Sequence, residues 1–151
     1  MMRSKVSKRI ISVLLAFVMM VGLIPAATMP VRAQNVIGLM YASTVIADRG
    51  VVLMGDTHLY MDIDLSVPYI EGDYKLTIDG SGTLTIDGSG NGIDVKSLDC
   101  SANLFVQPGW HAIEVSETVY IDNAESFIVG GIYAGGHIDI RSNNATIGGN
   151  G

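Results

Sequence analysis

Asp94, Glu114 and Asp139 hold the same place in three copies of one phrase: "GIDVKS" at 92–97, "AIEVSE" at 112–117 and "HIDIRS" at 137–142. In each copy an apolar pair brackets the acid: Ile93/Val95, Ile113/Val115 and Ile138/Ile140. If the pairs turn inward on stacked strands, the acids turn outward in a file, at the strand spacing of about 4.8 Å. Like charges so placed repel. Two arrangements relieve the repulsion. Lys96 and Arg141, at the next outward positions, make a solvated, partly neutralised face. Alternatively a hard cation such as Ca2+, which takes about six to eight oxygen ligands, makes the file a binding site. Asp79 and Asp87, each opening a "DGSG" corner, extend the same donor set. "GNGID" at 90–94 has the G-x-G-x-D core of calcium-binding glycine-rich repeats, but the apolar residue those repeats carry two after the acid is Lys96 here. An Asp before Gly is also an ordinary turn former, its side chain bonding the backbone of the corner.

The aromatic side chains suggest a different chemistry. Trp110 follows "QPG" with His111 beside it, and Tyr120 sits between the apolar residues Val119 and Ile121. An exposed ring stacks on the apolar face of a pyranose while neighbouring Asp or Asn side chains bond its hydroxyls. Rim packing is the other use for such residues. Catalysis finds little footing, and the chain reads as no enzyme. Asp62 and Asp64 share a strand face as solvated pairs do, and His58, His111 and His137 are scattered without ligand spacing.

The elements that position these groups are strands. Leu59, Met61, Ile63 and Leu65 alternate with Tyr60, Asp62 and Asp64, the period of a strand with one buried face. Short apolar pairs follow at Leu76/Ile78, Leu84/Ile86 and Ile93/Val95, each closed by Gly, Ser, Asn or Asp. "LTIDGSG" occurs at 76–82 and again at 84–90, a step of eight residues. That is one strand plus one corner, too short for a whole coil. The anchoring isoleucines Ile93, Ile113 and Ile138 recur at offsets of 20 and 25 residues, the period of a stacked-coil architecture in which each repeat buries its apolar face against its neighbours. Together the two periods predict a right-handed parallel β-helix, with "LTIDGSG" forming two successive sides of one turn. Gly80, Gly82, Gly88 and Gly90 are expected at positive φ in its corners. An antiparallel β-sandwich built on Gly-Ser-Gly hairpins is the alternative, and it leaves the longer period without a cause.

The first residues belong to another class. Arg3, Lys5, Lys8 and Arg9 precede the uncharged run "IISVLLAFVMMVGLI" at 10–24, and "VRA" at 31–33 offers small residues for cleavage after Ala33. This is a secretory signal, its apolar run of 15 residues below the about 20 that a membrane span requires. Three parts are expected: 1–33 as signal peptide, 34–58 as N-terminal capping strands and 59–151 as the β-helix. After cleavage four basic residues face fifteen acidic ones, net −11. Such a surface repels phosphate backbones and anionic lipid, so neither nucleic acid nor a stable membrane span is expected of the mature chain. The single cysteine, Cys100, forms no internal disulfide and reads as a small buried hydrophobe.

"GDTHLYMDIDLSVPYIEGDYKLTIDGSGTLTIDGSGNGIDV" and "GGIYAGGHIDIRSNNATIGG", with "GIYAGG" followed by an alternating strand as the most recognisable element, resemble the carbohydrate-binding β-helix domains of clostridial-type secreted and cell-surface proteins. The resemblance runs from about Gly55 onward. It implies a right-handed parallel β-helix, a polysaccharide or cell-wall glycan as partner, bound calcium, and a location outside a bacterial cell. The expected function is an exported, non-catalytic surface module that binds or presents to polysaccharide; a stalk or spacer in a larger adhesin is the alternative. "NNATIGGNG" at 143–151 opens a further rung with Ala145 and Ile147 inward and shows no polar cap. The chain is therefore expected to be the N-terminal part of a longer protein and to self-associate through that open rung.

Overall fold

The computed structural model describes residues 33–148 apart from 89, 108–110, 123–124 and 143. Residues 1–32, nearly all of the stretch expected as a signal peptide, and Trp110 lie outside the described residues. Among the described residues no helix is long and apolar enough to cross a membrane. The strands in chain order are β1 (Gln34–Tyr41), β2 (Val51–Met61), β3 (Leu65–Val67), β4 (Ile70–Gly80), β5 (Thr83–Ile86), β6 (Ile93–Cys100), β7 (Asn103–Val106), β8 (His111–Val115), β9 (Val119–Asp122), β10 (Glu125–Val129), β11 (Gly131–Ala134), β12 (Ile138–Arg141) and β13 (Asn144–Gly148).

Every strand pair among them is parallel, which excludes the sandwich. β3, β5, β7, β10 and β13 stack as a short sheet. β1, β2, β4 and β6 stack as a long one, which register shifts at Val36/Gly38 and Gly72/Lys75 bend into two sides. Beyond β6 the two sides separate: β8 and β11 continue the first, β9 and β12 the second. The chain thus winds as a three-sided right-handed parallel β-helix of about five turns. Leu76/Ile78 on β4 and Leu84/Ile86 on β5 are two consecutive sides of one coil, so "LTIDGSG" is said twice because the chain turns two similar corners.

Alternation explains the core. Leu65, Leu84 and Leu104 stack in register, as do Leu59, Ile78, Cys100 and Ile121, and all are buried. Each fully buried Leu or Ile contributes about 1.5–3 kcal/mol against its exposed state. Further along, the leucine column shrinks to Ser126, then Ala145. The Ser126 side chain is buried and its hydroxyl has no hydrogen-bond partner. At the other end a 3-10 turn at Ala42–Thr44 follows β1, and Val36, Ala42 and Val45 are buried. β2 runs straight through the boundary expected at 58/59, and β1 pairs with it in parallel as a rung.

Corner glycines act in two ways. Gly80 has the expected positive φ, 111°. Gly82 and Gly88 do not; a Cβ there would strike the carbonyls of Ile63 and Pro68 on the preceding coil. Gly90 has neither constraint, with open space around it. For Gly82 and Gly88 the requirement is close stacking of successive corners, which the expectation of positive φ missed.

Candidate functional site

Carboxylates and amides at the corners brace one coil to the next. Asp56 accepts the Lys75 N–H at 3.0 Å, Asp64 the Thr83 N–H at 2.8 Å, and Asn103 the Glu125 N–H at 3.2 Å. Asp62 accepts from both the N–H and the hydroxyl of Ser43, and these bonds hold its carboxyl below the usual range.

The donors expected for a cation are dispersed by this network. Asp79 lies 2.7 Å from His58 Nε2, and Asp87 accepts from the Ser66 hydroxyl at 2.8 Å. Asp94 and Glu114 are neighbours in register, as read from the sequence. Asp139 is not the third member of their file: it pairs with Tyr120 on the second side, and Tyr133 takes the place beside Glu114. The acid that completes the file is Glu71, in register with Asp94 on the preceding coil. The cause is "GIYA", which fills the first side of the last coil and pushes "HIDIRS" one side along. Glu71, Asp73 and Asp94 border a shallow depression of about 380 Å³ with Val52, Gly72 and Ser116. The basic residues expected beside the file are engaged elsewhere, Lys96 with Glu117 at 3.3 Å and Arg141 with Asp139 at 2.8 Å. Among the described residues no group of three or more His, Cys, Asp or Glu is placed to hold a metal ion.

Of the residues expected to meet a sugar, Trp110 lies outside the described residues, and only the backbone of His111 is described, opening β8. Tyr120 is in place on the second side, but its hydroxyl donates to Asp122 at 3.1 Å and the Arg141 guanidinium lies over its ring, 5.6 Å from the centroid. The hydrogen bond to Asp122, then partial burial, raises the phenol above its ordinary value. A ring so covered is an indifferent stacking platform.

The short sheet holds another aromatic position that the sequence reading did not single out. Along its outer face Thr83 and Asn103 stand in register, as do Glu125 and Asn144 two coils further along. Beside them Thr85 and Phe105 stand in register, and Thr146 continues the same register two coils further along. A groove of about 270 Å³ runs between the files, lined by Thr83, Asn103, Phe105, Glu125, Asn144 and Thr146 over the strand backbone at Leu104 and Ser126. Asn144 Nδ2 donates to Glu125 Oε1 at 3.4 Å, which fixes the amide and the carboxylate along one wall. Its sequence signal was "NLFV" and "SFIV", two strand-like pieces that each carry a phenylalanine. Set against family models, curated proteins and solved structures, the chain matches none of them, and the site rests on its own geometry.

Proposed function

We propose that this chain is an exported, non-catalytic surface module that binds polysaccharide in the groove of the short sheet. The observation that supports the reading is the lining itself: the Phe105 ring beside the hydroxyls of Thr83 and Thr146, the amides of Asn103 and Asn144 and the Glu125 carboxylate, drawn from successive coils about 4.8 Å apart. A groove of this kind suits an extended glycan, with the ring against a pyranose face and the polar file against its hydroxyls. Repetition of weak contacts along successive coils adds affinity without any deep pocket. The net charge of −11 left after removal of residues 1–33 favours neutral or cationic sugars over uronic acids.

The test is a glycan array with the wild type, Phe105→Ala and Asn103→Ala. Loss of the ring or of the amide is expected to weaken binding by about tenfold or more, the equivalent of about 1.4 kcal/mol. Binding that persists unchanged in both variants would move the site elsewhere. No binding by any of the three would leave the alternative, a stalk whose coils serve only to hold other parts at a distance.

A further inference from the structure

The groove of the short sheet holds one ionisable side chain. Of the side chains that line it, Thr83, Asn103, Asn144 and Thr146 are neutral and polar, Phe105 is apolar, and Glu125 alone carries charge. Three acids elsewhere on the solenoid have bases of the chain beside them: Asp99 has Lys75 at 3.6 Å, Glu117 has Lys96 at 3.3 Å and Asp139 has Arg141 at 2.8 Å. Among the described residues no base pairs with Glu125. Two amides hold it in place instead. Asn103 Oδ1 accepts the Glu125 N–H at 3.2 Å, and Asn144 Nδ2 donates to Oε1 at 3.4 Å, which leaves Oε2 without a partner among the described residues.

We infer that Glu125 is the counter-charge for an ammonium group, and that the glycan held here is an amino sugar with its nitrogen free, which rests on the groove being the glycan site. Glu125 lies one coil on from Asn103, and Phe105 lies two residues beyond Asn103 on β7. With about 3.3 Å per residue along a strand and about 4.8 Å between coils, the backbone positions of Phe105 and Glu125 are about 8 Å apart. One pyranose with its exocyclic substituent spans that gap. A ring lying on Phe105 therefore brings an amino group at its edge to Glu125 Oε2. The amide of Asn103 and the hydroxyls of Thr83 and Thr146 remain for the oxygens of the same chain.

Charge selects the form of that nitrogen. A carboxylate bonds an ammonium about twice as strongly as it bonds a neutral donor, and acetylation removes the charge. A uronic acid would set a second carboxylate against Glu125, with no base in the lining to offset it. A divalent cation such as Ca2+ takes about six to eight oxygen ligands, and the groove offers a single carboxylate. A lysine side chain carries the same ammonium but no ring hydroxyls for the amides and hydroxyls on either side of Glu125. The net charge of −11 left after removal of residues 1–33 draws any polycation to the surface. Selection by the groove is therefore a difference that Glu125 makes and an acid elsewhere does not.

The test is calorimetric titration of the protein with oligomers of matched length: β-linked glucosamine, the same oligomer fully N-acetylated, and lysine. The free amine should bind about tenfold or more tighter than the acetylated form. Glu125→Gln keeps an oxygen to accept from Asn144 and should abolish that difference. Asp73→Asn removes a charge of the same sign from β4, on the long sheet, and should leave it intact. Phe105→Ala should weaken both sugars alike, which separates loss of the ring from loss of the charge. Equal affinity of the wild type for the two sugars would overturn the proposal and leave the groove as a site for neutral glycan. So would a preference that survives Glu125→Gln, or one that falls equally with Asp73→Asn. A lysine oligomer bound as tightly as the glucosamine oligomer would also overturn it, since net charge alone would then attract the amine. Binding of neither sugar would remove the groove reading together with this one.

Discussion

Tyr120 shows how a residue chosen from sequence changes meaning in its surroundings. Its place between two inward residues was legible, and Asp122 stands only two residues along the same strand, but the Arg141 that covers its ring comes from the next coil and was not. The hydrogen bond to Asp122 favours the neutral phenol, so the folded value lies above the ordinary one near 10. A group whose value is raised on folding contributes stability that is present below the unfolded value and lost as pH rises through the folded one. Asp122→Asn should therefore lower the Tyr120 value and shrink that alkaline loss. An ultraviolet titration, with Tyr120→Phe subtracted to isolate this phenol, measures it. A titration unmoved by Asp122→Asn would mean that burial, not the carboxylate, holds the proton. Asp139 is the opposite case: its type and phrase were right, but its file was wrong, and no local feature of "HIDIRS" differs from "GIDVKS" in a way that would have shown it.

Among the elements, the corners carry the tightest constraint. Corners of successive coils stack with carbonyl against Cα, so Gly82 and Gly88 are held by their neighbours rather than by their own dihedral angles. Gly82→Ala should destabilise the unit by about 1–3 kcal/mol, the usual cost of overpacking. Gly90→Ala, one corner on and facing open space, should be neutral or slightly stabilising, because it restricts the unfolded chain more than the folded one. Urea unfolding of the two variants gives the comparison. Equal losses would mean that chain stiffness in the corner, not contact between coils, decides. Strand existence was plain from apolar alternation, and so was the division into sides. The role of each glycine was not, since the atom it avoids lies a full coil away in sequence.

As a whole the molecule is a stack in which each coil depends on those on either side. Leu84 lies between Leu65 and Leu104 and is fully buried, so Leu84→Ala should cost about 2–5 kcal/mol. Ile147 is half exposed on the last coil. Its truncation to Ala should cost clearly less, because less apolar surface is buried there. Urea denaturation of both variants checks this. Equal costs would mean that burial within the stack does not set what a core residue contributes.

The sequence by itself determined the architecture. Apolar pairs one residue apart, short corners and a recurrence near twenty residues leave a solenoid as the arrangement that buries every pair, because inward and outward are set by a period of two that the chain cannot violate locally. Only the tertiary structure decided which outward residues share a file. Bonds between neighbouring coils join residues 19 apart at Asp64 and Thr83, 22 at Asn103 and Glu125, and 23 at Asn91 and Glu114. With coil lengths varying by a few residues, equal phrases fall on different sides and unlike phrases fall into line. Glu71 thus joins Asp94 and Glu114 while Asp139 leaves them, and Phe105 comes to stand beside Asn103, Glu125 and Asn144 at the wall of a groove. Register between coils is fixed by bulges and close-packed corners, whose contacts are made across the stack and are not written in either coil alone.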